Sequence, residues 1–390
     1  MKEFTKQDIG FIMKTELFIG VRVMNKLIEY LKSNMWDKIG VVIDKGFYEN
    51  NDYSKKIIEL LNNHMELVIL LINEMPEPTY DYLNKIKTKF EKCELDCFVG
   101  IGGGSTMDLS KGLATLKTNH GDAINYRGFG KVKNLPLPVV AIPTTAGSGS
   151  EVTPYAVFID TDENWKFGIN SEYNYPKLAL LDPNVLNSCP DSVFASSGMD
   201  AMTHTLESFV ANNATTLSRM FSYKAFKLLY ENLVQISRGN KSIEVKMGLL
   251  VGASCAGIAL MNSGAGPAGA LSYPLGVYFS VPHGIAGSVF LPGIIKYNVD
   301  NGYNDYYKLY DLVFEEKNIS NKKKSYIFAE KITALSQNLG IPTNLKGFGV
   351  ISDEDANKII DNSMQLEAAF DQNPVDFKQN QVVELVNSLR

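Results

Sequence analysis

Short runs of apolar, often β-branched residues alternate with helical patterns through the first half of the chain, as expected for a parallel sheet covered by helices. The run Ile39–Asp44 is the first clear strand. A helical pattern over Tyr53–Leu61 follows, then a strand over Leu67–Ile72, a helix over Tyr80–Phe90 and a strand over Cys97–Ile101. Their connections have the lengths usual in βαβ units. The buried run Val139–Ile142 leads into a turn rich in Thr, Gly and Ser, and Tyr155–Asp160 with Lys166–Ile169 predicts a hairpin. The alternation ends near Leu178–Asp182. Beyond about Pro190 the apolar residues of Ala201–Val210, Met220–Leu233, Val245–Met261 and Tyr326–Leu339 recur at helical spacing. The pattern predicts an α/β domain with a parallel sheet over residues 1–188 and an all-α domain over 189–390. No repeat or low-complexity linker separates them, so the expectation is a fixed interface with the site in the cleft between the two.

Composition supports this picture. A length of 390 residues exceeds one ordinary core, and 45% apolar with 21% charged content is that of a globular protein. No uninterrupted apolar run of bilayer length is expected. The first twenty residues mix Asp, Glu and Lys with apolar residues, unlike a secretory leader, which predicts a cytoplasmic protein. A net charge of -5 gives little attraction for nucleic acid or anionic lipid, and the basic run Lys322–Lys324 reads as a solvated loop. The four cysteines, at 93, 97, 189 and 255, form no CxxC pair and read as reduced thiols.

The densest chemical signal is VGIGGGSTMDLSKGLA, where a buried strand enters Gly102-Gly103-Gly104-Ser105 and a helix begins. Glycines there let the backbone approach phosphate oxygens, and the first helical turn supplies N–H donors and a positive dipole end. Ser105 and Thr106 add hydroxyls. No Lys-Ser/Thr pair follows the glycines, so the P-loop of a nucleotide triphosphatase is excluded. Asp44, at the end of the first strand, is suited to bind ribose hydroxyls and to repel a 2′-phosphate, which favours NAD while leaving NADP open; the alternative is a turn former. A second polar turn, Pro143–Glu151, follows another buried strand and is placed to hold the other end of a dinucleotide.

Of four histidines, His64 and His120 lie among polar residues and read as solvated. Asp200 and His204 are four apart in a helical pattern, so they share a face and together can hold a divalent cation; an Asp–His hydrogen bond or N-terminal helix charge is the alternative. His283, between Pro282 and Gly284, opens the apolar helical run Ile285–Ile295. Asp200, His204 and His283 would give a cation three ligands and leave positions open for a substrate oxygen.

With GIGGGSTMDLSKG, PTTAGSGSEVT, Lys166-Phe167, GMDAMTHTLESF and YPLGVYFSVPHGIAGSVFLP in place, the chain resembles the iron-dependent (group III) alcohol dehydrogenases almost from end to end. The resemblance implies a dehydroquinate-synthase-like architecture: an α/β N-terminal nucleotide-binding domain and an all-α C-terminal domain. It implies that Gly102, Gly103, Gly104 and Ser105 bind the pyrophosphate, that Thr144, Thr145 and Lys166 touch the nucleotide, and that Asp200, His204 and His283 hold Fe2+ or Zn2+. The expected activity is hydride transfer between NAD(P) and a small alcohol or aldehyde, by a chain able to form a homodimer. One departure stands out. The family places histidines fourteen and ten residues before that of its PHG element, where this chain has Gly269 and Tyr273. Glycine supplies no ligand, which leaves open three protein ligands with added water, other ligands, weak binding or no metal. Tyr273, with His283 the candidate for the chemistry, is suited to hydrogen-bond the substrate oxygen or relay a proton, or else is structural. Two other readings compete: a lyase or cyclase that uses its dinucleotide transiently, as dehydroquinate synthase does, and a protein that binds dinucleotide without turnover.

Overall fold

The computed structural model describes residues 10–73, 77–316 and 318–390. Residues 1–9 of the N-terminal stretch lie outside the described residues. The chain divides into two compact units, one of residues 13–190 and the other of residues 191–390 together with the segment ending at Ile12. Asn262 ties that segment to the second unit, accepting from the Ile12 N–H at 2.7 Å and donating to its carbonyl at 2.9 Å.

In the first unit the elements run β1 (Glu16–Ile19), α1 (Met24–Ser33), β2 (Lys38–Asp44), α2 (Lys45–Asn50), α3 (Asp52–Asn62), β3 (Glu66–Ile72), α4 (Tyr80–Lys87), β4 (Cys97–Gly102), α5 (Gly104–Thr118), β5 (Gly128–Phe129), β6 (Val139–Pro143), β7 (Val157–Asp160), β8 (Trp165–Asn170) and β9 (Leu178–Leu181). Six strands form a parallel sheet ordered β1-β9-β6-β4-β2-β3. The inner strands β4, β6 and β9 are buried at every position, which is why they read as unbroken apolar runs. Each Val, Ile or Leu withdrawn from water there contributes roughly 1.5–3 kcal/mol. The edge strands β1 and β3 are only partly covered. The pairings Ile43↔Ile101 and Gly102↔Pro143 bring the carboxyl ends of β2, β4 and β6 to one edge of the sheet. The strand order reverses there, since β3 flanks β2 on one side and β4 on the other, and ligands bind at such a reversal. The expected hairpin is present as antiparallel β7 and β8, with Asn164 in the left-handed conformation (φ 50°) in its turn.

The second unit is helical, with α6 (Asp191–Val210), α7 (Thr216–Ser237), α8 (Ile243–Ser263), α9 (Pro267–Phe279), α10 (His283–Ala286), α11 (Leu291–Asp300), α12 (Tyr307–Tyr310), α13 (Asn321–Asn338) and shorter helices after them. Phe194, Met199 and Leu206 of α6, Phe226 and Leu233 of α7, and Leu249 and Leu250 of α8 are buried in its core.

Three expectations change. Contrary to the reading of the chain, α8 is long and apolar enough to cross a bilayer; 67% of its apolar window is buried inside the protein, where α6 and α7 pack on it. The run Lys322–Lys324 is not a loop but the first turn of α13, capped by Ser320, and Lys324 is nearly buried with its ammonium 2.6 Å from Asp311. The helical run expected over Ile285–Ile295 is broken in two, because Pro292 opens a new helix in the first turn of α11.

Candidate functional site

At the end of β4 the chain turns through Gly103, which has extended backbone and precedes the first turn of α5. No side chain caps α5 among the described residues, so its first N–H groups remain for an anion. Gly103, Gly104 and Ser105 are half-buried. A Cβ on Gly104 would stand 2.8 Å from Ser148 Oγ, and one on Gly103 would stand 3.2 Å from Thr145 Oγ1. The second polar turn therefore packs directly on the first, and the N–H of buried Thr144 donates to the Gly102 carbonyl at 2.9 Å. Thr106 differs from expectation. It is buried beneath Gly102, so its hydroxyl packs the bend instead of meeting a phosphate.

Behind the two turns lies a buried polar cluster that the sequence did not single out. Lys111 Nζ shares its three hydrogens among four acceptors, the Ser150 carbonyl (2.6 Å), Ser150 Oγ (2.6 Å), the Thr153 carbonyl (2.9 Å) and the Tyr155 carbonyl (2.8 Å). Ser150 Oγ in turn donates to Asp108 Oδ1 at 2.6 Å, and the Val157 N–H donates to Asp108 Oδ2 at 3.0 Å. Burial pushes the Asp108 carboxyl up and the Lys111 ammonium down, the latter to about 8, and the two charges oppose that trend in each other. The Asp-x-x-Lys spacing one turn past the glycines was the available signal.

Asp44 Oδ1 accepts from the Phe47 N–H at 2.7 Å and so caps α2. Asp44 is also the last residue of β2, beside the strand reversal. Lys166, on β8, is buried with its ammonium 2.6 Å from Glu77, so its charge is already paired.

In the helical unit, Asp200 and His204 lie one turn apart on α6 and His283 opens α10. One ligand atom from each falls within 4.8 Å of the others. His204 Nε2 is 3.6 Å and His283 Nε2 is 3.9 Å from Asp200 Oδ1. Both separations exceed a hydrogen bond and approach the spacing of about 3.4 Å between donors on a tetrahedral cation with bonds of about 2.1 Å. Two imidazole nitrogens and a carboxylate oxygen suit Fe2+ or Zn2+. The PHG glycine makes the approach possible: a Cβ on Gly284 would lie 2.1 Å from the Ser196 carbonyl oxygen and 3.0 Å from Asp200 Cβ. His64 and His120 are exposed, as expected.

Gly269 lies in the first turn of α9, and its neighbour is Glu207, a residue the sequence reading passed over. The buried Glu207 carboxylate, three residues past His204, accepts from the N–H groups of Gly266 (3.0 Å), Ala268 (2.6 Å) and Gly269 (3.1 Å). Burial pushes its carboxyl up while the three donors pull the other way. Tyr273, one turn along α9, is half-buried with its ring 5.4 Å from that of His283. Ser272 Oγ lies 3.0 Å from His283 Nδ1.

Comparison with known proteins agrees with this architecture. Residues 14–183 match the family described as iron-containing alcohol dehydrogenase, and residues 194–389 match the C-terminal region of the same family. The chain is 30% identical over 312 residues to 1,3-propanediol dehydrogenase of Klebsiella pneumoniae, covering 80% of this chain and 81% of that one. It is 28% identical to NAD-dependent methanol dehydrogenase of Bacillus methanolicus, over 84% and 86% of the two chains. Among solved structures it is similar to an alcohol dehydrogenase from Oenococcus oeni, with TM-score 0.92, 25% identity, and 98% and 100% of the two chains covered.

Proposed function

Since the chain belongs to the iron-containing alcohol dehydrogenase family, and so is an oxidoreductase acting on CH–OH groups, we propose that it moves a hydride between NAD and the carbinol carbon of a small alcohol or its aldehyde, with a divalent cation held by Asp200, His204 and His283. The convergence of those three side chains within 4.8 Å carries the proposal. A cation bound there supplies Lewis-acid polarisation of the substrate oxygen.

The protein's own groups do the rest. The N–H groups at the start of α5, with Ser105, bind the pyrophosphate, and Thr144 and Thr145 line the same turn. Asp44 binds the ribose hydroxyls and disfavours a 2′-phosphate, in keeping with the NAD-dependent methanol dehydrogenase among the relatives. Lys166 contributes positive charge near the nucleotide while paired to Glu77. Tyr273, beside His283, donates a hydrogen bond to the substrate oxygen.

The test is a screen of the purified protein, supplied in turn with Fe2+ and Zn2+, against alcohols with NAD+ or NADP+ and aldehydes with NADH or NADPH. Stoichiometric change in reduced nicotinamide with an alcohol or aldehyde is the expected result. Phosphate release without net change in NADH would replace the proposal with the lyase reading, and dinucleotide binding without turnover across the panel would replace it with the binding-protein reading.

A further inference from the structure

We propose that Ser272 is a positioning residue that fixes His283 in the tautomer with its proton on Nδ1, so that Nε2 turns a lone pair toward Asp200. The proposal deepens the reading of Asp200, His204 and His283 as a cation site and rests on it.

Ser272 Oγ is 2.6 Å from the Gly269 carbonyl oxygen and 3.0 Å from His283 Nδ1. A hydroxyl has one hydrogen, and a carbonyl oxygen can only accept. The Ser272 hydrogen therefore goes to Gly269, and the contact with His283 closes only if Nδ1–H donates to Ser272 Oγ. Ser272 is 1% exposed, so no bulk water competes for the hydroxyl. The opposite tautomer would set the Nδ1 lone pair against those of the serine oxygen. In the neutral ring, a proton on Nδ1 leaves Nε2, 3.9 Å from Asp200 Oδ1, without one.

The carbonyl that orients Ser272 is itself held in place. The Gly269 N–H donates to Glu207, and Glu207 lies on the helix that carries Asp200 and His204. A continuous series of bonds thus runs from α6 through the first turn of α9 to the ring of His283. A Cβ at residue 269 would stand 3.1 Å from Glu207 Oε2. Residue 269, which brings no ligand side chain, acts through its N–H and its carbonyl.

Two measurements test this, on wild type, Ser272→Ala and Ser272→Thr. The first reads the ring nitrogens of His283 by 15N NMR on the metal-free protein, with a His283→Ala spectrum for assignment. The Nδ1–H form should dominate in wild type and Ser272→Thr and give way in Ser272→Ala. A dominant Nε2–H form in wild type, or an unchanged Nδ1–H form in Ser272→Ala, would overturn the proposal. The second reads Zn2+ affinity by competition with a chromophoric chelator, with thermal melts to confirm folding. Ser272→Ala should bind Zn2+ about 10- to 100-fold more weakly, and Ser272→Thr should restore most of the loss. Equal affinity in wild type and Ser272→Ala would also overturn it. A wild type that binds no Zn2+ or Fe2+ would defeat the cation reading itself, and the NMR result would still decide the role of Ser272.

Discussion

The ammonium of Lys111 lies 2.6 Å from both the carbonyl and the hydroxyl oxygen of Ser150, which bonds the helix after the glycine turn to the loop that packs upon that turn. Replacing Lys111 by Met would leave buried carbonyls and the Asp108 carboxylate without their cation, at a cost of about 3–5 kcal/mol. The effect depends on pH. Burial depresses Lys111 from 10.5 to about 8 in the folded protein, so between those values the unfolded chain binds more protons and stability rises with pH. The penalty for burying the charge is present below about 8 and is relieved as pH climbs toward 10.5. Urea unfolding at pH 7.5, 8.5 and 9.5 should show the gap between wild type and Lys111→Met widening with pH, and a constant gap would show that Lys111 does not titrate there.

A side chain on Gly103 would meet Thr145 before reaching any ligand, since a Cβ would already lie 3.2 Å from its Oγ1. Gly103→Val should push the two turns apart and weaken dinucleotide binding at least tenfold, about 1.4 kcal/mol. Quenching of protein fluorescence by NADH measures the affinity. An unchanged dissociation constant in a normally folded variant would take the turn out of the binding site.

Much of this was legible in the sequence because parallel strands buried on both faces leave unbroken apolar runs, as Cys97–Gly102 and Val139–Pro143 do. Asp200 and His204 were legible because helical spacing alone puts them on one face. Glu207 and Ser272 were not. Their partners are backbone groups and a ring set by tertiary packing, and no spacing reports that the N–H of Gly266, 59 residues along the chain, meets Glu207. Lys111 resembled any lysine on a helix surface until the loop at Ser150 closed over it. The split after His283 was marked by Pro292, a helix opener hidden within an apolar run.

Asp44 caps α2 and is proposed to bind a ribose, and a single substitution separates the two. As the cap of α2 it accepts from the Phe47 N–H, and glycine at a cap position costs only a few tenths of a kcal/mol. In the proposed ribose-binding role it would discriminate by charge, which glycine removes. Asp44→Gly should therefore melt close to wild type while the ratio of kcat/KM for NAD+ over NADP+ falls by about tenfold or more. If steady-state kinetics give the same ratio in both proteins, the carboxylate is a helix cap and nothing else.

Removing either imidazole from the helical unit should empty the cation site. His204 and His283 each bring one nitrogen near Asp200 Oδ1, at 3.6 and 3.9 Å, so either alanine variant leaves one nitrogen and one carboxylate. Losing a ligand should weaken binding by more than the roughly 100-fold that loss of a supporting hydrogen bond can cost. Elemental analysis of His204→Ala and His283→Ala, purified beside wild type, should find the bound metal lost from both. His64→Ala serves as the control, since His64 is exposed and lies in the other unit. Metal retained at the wild-type ratio in both variants would mean that the cation sits elsewhere, and the chemistry assigned to Asp200, His204 and His283 would go with it.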